Sequence, residues 1–201
     1  MKYINQTDYP DWLYVTRTEL EEAEREQGKT TTVASSACGL CSAIMVADRL
    51  LTNSGFGLKE ALKLSYEVKA NFGRGTNYQR FAPAFAKKLG LDWEGTDDPD
   101  RLRYCLRTGG AAVVHVGGDR EGYVGVLSHV GHYVAAISEE RDGRIAILDP
   151  AYREGKYEER GHKGLVEIQD GVIALCDMQV LMEDTANRIP HFHLFWRKNS
   201  V

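Results

Sequence analysis

The chain has 201 residues and a net charge of −4; 43% of its residues are hydrophobic and 27% are charged. These values are typical of an ordinary globular protein and exclude the clustered basic surface of an electrostatic nucleic-acid binder. No apolar run approaches the roughly 18 residues that cross a bilayer.

The N-terminal segment, MKYINQTDYPDWLYV, has polar and acidic residues where a signal peptide needs an apolar stretch. The sequence therefore predicts a cytoplasmic protein by default, with secretion after removal of a signal as the alternative. The length favours a single domain over residues 1–201, in which residues 1–29 form a possible N-terminal helical extension.

The first half of the chain carries the apolar spacing and the capping residues of helices. Pro83 is expected to kink or split the fourth of them, since a proline removes one backbone N–H. Asp98 and Pro99 are typical of the cap and first position of the fifth. The predicted helices are 17–27, 38–51, 57–71, 76–89 and 98–107.

The second half reads as strands rich in β-branched residues. An Arg141-Asp142-Gly143 turn joins two of them, and Asp-Gly between apolar runs is a strong hairpin signal. A short helix is possible near 177–184. The predicted strands are 111–116, 131–138, 143–149 and, more weakly, 164–168 and 191–196. Helices followed by strands indicate an α+β domain, with the helical N-terminal half packed on an antiparallel sheet.

Cys38 and Cys41 stand three positions apart at the start of the second predicted helix, and this spacing has three interpretations. A redox dithiol needs a strand leading into the motif, but residues 29–37 are mostly polar and small. A zinc site needs a second ligand pair, and Cys105 and Cys176 stand alone.

The closest pair of histidines in the sequence is His191 and His193, which face the same side of a strand and could both bind one ion. A half-exposed sheet face accounts for that pair equally well. The third interpretation is a nucleophilic cysteine, since a helix N-terminus and a neighbouring imidazolium both lower the pKa of a thiol.

A histidine and a carboxylate stand where such a nucleophile needs them. His132 opens one strand of the predicted hairpin and Asp149 closes the other, so the outer ends of the two strands bring them together. Asp149 can then accept a hydrogen bond from one ring nitrogen of His132 while the other faces the thiol.

These residues carry a family resemblance. Residues 38–45, CGLCSAIM, resemble the Cys-Gly-x-x-Ser-x-x-Met helix start of papain-like cysteine peptidases, in the branch related to bacteriocin-leader (double-glycine) peptidases. The Gly-His-Tyr-Val at 131–134 and the Asp-Pro at 149–150 are similar to the other two motifs of that branch. The resemblance covers roughly residues 30–155.

The resemblance implies a papain-like fold and a cysteine peptidase or amide hydrolase that acts on a peptide or amide substrate without a metal or organic cofactor. It implies that Cys38 is the nucleophile, His132 the general base and acid, and Asp149 the residue that orients the imidazole. The Cys-Gly-Ser-Cys-Trp pattern of papain itself gives a competing alignment, in which Cys41 is the nucleophile.

One position departs from the family pattern. The family has an oxyanion-hole glutamine about six residues before the nucleophile, where this chain has Thr32. Gln27, 11 positions upstream of Cys38, is a possible donor if the loop bulges. Ser35, Ser36 and the backbone N–H of Cys38 are the other possible donors. This departure leaves open a catalytically inactive binding module on the same fold, because a missing donor costs roughly a hundredfold or more in rate.

The other histidines have structural interpretations. His115 is expected to pack within a strand, and His129 and His162 are expected at the surface. The Gly-rich segment 117–130 is either an ordinary loop or a flap over a cleft.

Overall fold

The computed structural model describes residues 2–14, 31–72, 75–159 and 162–198. The helix predicted at 17–27, which includes Gln27, lies outside these residues. Residues 2–14 contain a 3-10 turn, Gln6–Asp8, and bury Ile4 and Tyr14 against the core.

Six helices and nine strands follow in the described part of the chain. The helices are α1 (Val33–Ser36), α2 (Cys38–Leu50), α3 (Leu58–Glu67), α4 (Tyr78–Leu89), α5 (Pro99–Arg107) and α6 (Met178–Thr185). The strands are β1 (Asn71–Phe72), β2 (Gly75–Thr76), β3 (Leu91–Thr96), β4 (Ala111–Val116), β5 (His132–Glu139), β6 (Ile145–Leu148), β7 (Val166–Gln169), β8 (Ile173–Cys176) and β9 (Phe192–Arg197). No helix among them has the length and apolar character needed to cross a membrane.

Seven strands form one sheet in the order β3-β9-β4-β5-β6-β8-β7, and every neighbouring pair is antiparallel. The β5–β6 hairpin forms around the predicted Asp-Gly turn, with Ala135 opposite Leu148. Continuing that register outward brings His132 and Asp149 to the same end of the hairpin.

Helices cover both faces of the sheet. Since side chains alternate along each strand, neighbouring residues of one strand pack against different helices. In β4, Ala111 and Val113 pack with α2, α3 and α4, and Ala112 and Val114 pack with α5 and α6. The predicted helical half therefore lies on the sheet, except that α5 crosses to the opposite face.

The structure differs from the sequence prediction in a few elements. The strands β3 and β8 and the short β1–β2 pair were not predicted, and the predicted strand 164–168 runs from Val166 to Gln169. Helix α4 continues unbroken through Pro83, where a split was one expectation. Phe81 and Phe85 are fully buried on either side of this proline, so their packing outweighs one lost backbone hydrogen bond.

Candidate active site

Cys38 is the first residue of α2 and is partly exposed, whereas Cys41 one turn later is fully buried. The N–H groups of a first helical turn have no acceptor within the helix, so they favour an anion at this position. The backbone N–H groups of Gly39 and Tyr133 both interact with the Cys38 sulfur. Ser42 donates a hydrogen bond of 3.1 Å to the carbonyl of Tyr133, which ties α2 to β5.

His132 is the first residue of β5 and is 6% exposed. Its Nε2 lies 2.8 Å from Oδ1 of Asp149, so the contact predicted from the hairpin is present. His132 also interacts electrostatically with the thiol of Cys38. Because Nε2 is engaged with Asp149, Nδ1 is the ring nitrogen left for the sulfur.

Burial disfavours the charge on both members of this Cys–His pair, but the neighbouring charges outweigh it. The pKa of Cys38 is lowered: burial alone would raise it, and the charge and hydrogen bond of His132 outweigh that effect. Burial alone would lower the pKa of His132, but the charges of Asp149 and Cys38 raise it to about 9. At neutral pH these shifts favour a thiolate beside an imidazolium.

Asp149 is fully buried and its carboxylate accepts four hydrogen bonds. Oδ1 accepts from His132 and from the N–H of Ala151, and Oδ2 accepts from the Tyr157 hydroxyl at 2.6 Å and from the Lys156 ammonium. Burial alone would raise the pKa of Asp149, but His132 and Lys156 hold that pKa well below its usual range.

Lys156 and Tyr157 are site residues that the sequence reasoning missed. They lie in a short 3-10 helix, Lys156–Glu158, beyond the Asp149-Pro150 motif, and no periodicity or spacing marks them. The N-terminal segment was also not linked to the site. Its Tyr3 hydroxyl donates 2.7 Å to the carbonyl of Asp149, and the Gln6 N–H donates 2.7 Å to the carbonyl of Pro150.

Cys38 lines a pocket of about 270 Å³. His115 stacks on Tyr133 in its wall, and burial, followed by the charges of Arg188 and His132, lowers the pKa of His115 to about 3, so the ring is neutral. The predicted strand packing of His115 is thus correct, and the ring also borders the site. The pocket is lined by Cys38, Gly75, Thr76, His115, Gly131, Tyr133 and Arg188.

No glutamine lines this pocket in the described part of the chain. Thr32 caps α1 through a reciprocal interaction with Ser35. Gln6 is buried beside α1, but its amide donates 2.7 Å to the carbonyl of Ala34. The backbone N–H of Cys38, in the first turn of α2, is one candidate oxyanion donor among the described residues. Thr76 and Arg188, which line the pocket, are others.

Cys41 belongs to the hydrophobic core between α2 and the sheet. Burial raises the pKa of its thiol, and the charge of Cys38 adds to that effect. Both thiols are free. This environment is typical of a structural cysteine. Cys38 is the cysteine that interacts with the imidazole of His132.

His191 and His193 do not form the half-exposed face that the sequence suggested. They are 5% and 1% exposed. Burial lowers the pKa of His193 to about 3, and its ring packs against Tyr78 and Trp93. Neither histidine is near a second set of metal ligands among the described residues.

His162 is also buried, at 2% exposed, where a surface position was expected. His129 is about half exposed, as predicted. The Gly-rich segment before His132 is an anchored loop: Asp184 accepts hydrogen bonds from the N–H groups of Val126 and Leu127.

The helices and the antiparallel sheet form an α+β fold, in agreement with the sequence prediction. A crystal structure described as a "putative C39-like peptidase from Bacillus anthracis" is similar, with a TM-score of 0.51 and 12% sequence identity. The match covers 82% of this chain and 90% of that chain. At this identity the likeness establishes the fold alone. No family model and no curated protein matches the chain.

Proposed function

We propose that the protein is a cysteine peptidase or amide hydrolase that uses Cys38, His132 and Asp149 as a catalytic triad. The observation that carries this proposal is the chain of interactions from the Cys38 thiol to the His132 ring, which is hydrogen-bonded at 2.8 Å to the buried carboxylate of Asp149. The similarity of the fold to that of a putative C39-like peptidase supports the proposal. The pocket lined by Cys38 supports it as well, since a substrate can approach Cys38 there.

In the first step the Cys38 thiolate attacks the carbonyl carbon of the substrate and the oxygen becomes an oxyanion. The N–H of Cys38 stabilises that charge. The C–N bond then breaks, and the His132 imidazolium gives its proton to the leaving amine. A thioester between Cys38 and the acyl group remains.

In the second step a water molecule attacks the thioester while neutral His132 accepts its proton. The C–S bond breaks, the acid leaves, and the thiolate–imidazolium pair is restored. Asp149 keeps the ring in the orientation that both steps need, and Lys156 and Tyr157 hold the carboxylate in turn.

The experiment compares Cys38→Ala with Cys41→Ala, using a peptide-based electrophile that alkylates thiols and a mixed peptide library. We expect Cys38→Ala to lose covalent labelling and to reduce hydrolysis about a thousandfold or more. Cys41→Ala is the matched control one helical turn away and should keep its labelling, although its lost core packing lowers stability.

The opposite pattern, with labelling retained in Cys38→Ala and lost in Cys41→Ala, contradicts the assignment and favours the papain-type alignment. A Cys38 that reacts only at the pH of an ordinary thiol favours a second candidate function, a binding module on the same fold. The absence of a glutamine from the described pocket lining is the observation in favour of that candidate.

A further inference from the structure

The side chain of His162 lacks the partners that a buried imidazole normally has. It is 2% exposed, and neither Nδ1 nor Nε2 has a hydrogen-bond partner among the described residues. A buried polar group without a partner destabilises the folded state, because it has lost its hydrogen bonds to water. A ligand that accepts electron pairs from the ring would remove this destabilisation.

Two further ligand atoms lie next to this ring. The ring centroids of His129 and His162 are 5.0 Å apart, and Nε2 of His129 is 3.7 Å from Oε2 of Glu159. One nitrogen from each histidine and one oxygen of Glu159 all lie within 4.8 Å of one another.

The backbone holds these groups in place before any ion binds. The N–H of His162 donates 3.0 Å to the carbonyl of Glu159, so both side chains leave one turn. On the other loop, the N–H of Asp119 donates 3.1 Å to the carbonyl of His129, and the Asp119 carboxylate lies 3.0 Å from Nδ1 of that ring.

We propose that His129, Glu159 and His162 form a binding site for a divalent transition metal of the zinc type. Two imidazole nitrogens and one carboxylate oxygen are a common zinc ligand set that leaves one position for water. Bonds of about 2.0–2.2 Å require tetrahedral ligand atoms roughly 3.3 Å apart, so a small inward movement of the side chains completes the site.

Asp119 acts as the outer carboxylate of this site. By accepting the Nδ1 proton of His129 it leaves Nε2 unprotonated and directed toward Glu159 and His162. Carboxylate–histidine pairs of this kind orient metal-bound imidazoles in many metalloproteins. Arg153 holds the second oxygen of Glu159, which leaves Oε2 for the ion.

The proposed metal site lies between the two segments that carry His132 and Asp149, so a bound ion would link these segments. His129 lies on the loop that leads into His132, and Glu159 and His162 lie on the segment that follows Asp149. The ion joins these two segments and so clamps both sides of the His132–Asp149 contact. The inference does not depend on the proposed hydrolase activity, since none of the ligands is a triad residue.

The test is a titration of metal-stripped full-length protein with Zn²⁺, followed by competition with a chromophoric chelator, and with Co²⁺, followed by its visible absorption bands. We expect one ion per chain, tetrahedral Co²⁺ bands, and a rise in the thermal unfolding midpoint. The same titration on Cys38→Ala tests the alternative that the ion binds the Cys38–His132 pair. We expect the same affinity, because Cys38 is not a ligand of the proposed site.

Variants locate the ion. His129→Ala, which changes a half-exposed side chain, and Glu159→Gln should each weaken Zn²⁺ binding tenfold or more, and Asp119→Asn should weaken it 10- to 100-fold. Glu158→Gln is the matched control, since this exposed neighbour lies outside the cluster, and it should bind as the wild type does.

Three outcomes overturn the proposal. They are the absence of binding at micromolar Zn²⁺, binding that is unchanged in both His129→Ala and Glu159→Gln, and binding that disappears in Cys38→Ala. The last two place the ion elsewhere in the molecule.

Discussion

Asp149 is the residue whose charge sets the pKa values of the other two candidate triad residues. It lies between two cationic side chains, His132 and Lys156, and accepts four hydrogen bonds, so it remains ionised although it is fully buried. Its charge raises the pKa of His132, and the imidazolium in turn lowers the pKa of Cys38. The reactivity of the thiol therefore depends on a residue that it does not contact.

Asp149→Asn should shift the reactivity of Cys38 to higher pH. Removal of the carboxylate charge lowers the pKa of His132 from about 9 and so raises the pKa of Cys38. The acid limb of the pH profile for alkylation by iodoacetamide should move up by about one unit or more, and the alkaline limb of hydrolysis should move down.

Lys156→Met is the control for this change. It removes the ammonium that pairs with Asp149 but keeps the carboxylate. The carboxylate charge then acts on the His132 imidazolium without a second cation beside it. Its acid limb should not move up, and an equal upward shift in both variants would contradict the assigned role of Asp149.

At the scale of elements, the loop between β4 and β5 determines how His132 enters the site. Asp184, which is fully buried at the end of α6, accepts hydrogen bonds from Tyr123, Val126 and Leu127 of this loop. Its backbone carbonyl also accepts 2.7 Å from the N–H of Gly117. One residue of α6 thus anchors the segment that leads to His132 and contains His129.

Asp184→Asn should lower the free energy of unfolding by about 2 kcal/mol or more, because the amide NH₂ would face at least one N–H or O–H donor of the loop. Urea denaturation measures this change. Glu183→Gln is the control: Glu183 is 55% exposed in a surface ion pair with Arg120, and its replacement should cost less than about 1 kcal/mol. Equal costs for the two variants would show that Asp184 does not anchor the loop.

At the scale of the whole molecule, the sheet separates two layers of helices that must be held in one arrangement. Strand β5 has His132 at its first residue and Glu139 at its last. The Glu139 side chain is 2% exposed and forms ion pairs with Arg103 and Arg107 of α5, the helix that crosses to the face opposite α2. The strand that carries His132 thus also anchors the second layer.

Glu139→Ala should lower the free energy of unfolding by about 1–3 kcal/mol. The cost lies below that of a fully buried pair because both arginines are partly exposed. The exposed neighbour provides the control, since Glu140→Ala should stay within about 0.5 kcal/mol of the wild type. The pH profile of Cys38 alkylation should be the same in both variants, and a shifted profile in Glu139→Ala would contradict a purely structural role.

Much of the fold and the three proposed triad positions could be predicted from the sequence, because they depend on local chemistry. Apolar spacing and caps predict α2 and α5, and the Asp142-Gly143 turn predicts the β5–β6 hairpin. That hairpin brings the strand ends that carry His132 and Asp149 together, whereas the exact register also depends on a shift between Ala136 and Ser138.

Other features were decided only by the tertiary structure, because they depend on residues far apart in the chain. Strand β3 lacks clear alternation and forms by pairing with β9, about a hundred positions away. The ring of His193 is buried against Tyr78 of α4 and Trp93 of β3, which are also distant in the chain. Lys156, Tyr157 and Tyr3 reach Asp149 from segments without a motif, and the buried ring of His162 meets His129 across two loops. Sequence patterns report the period and polarity of one segment, whereas burial and charge pairing are properties of the packed whole.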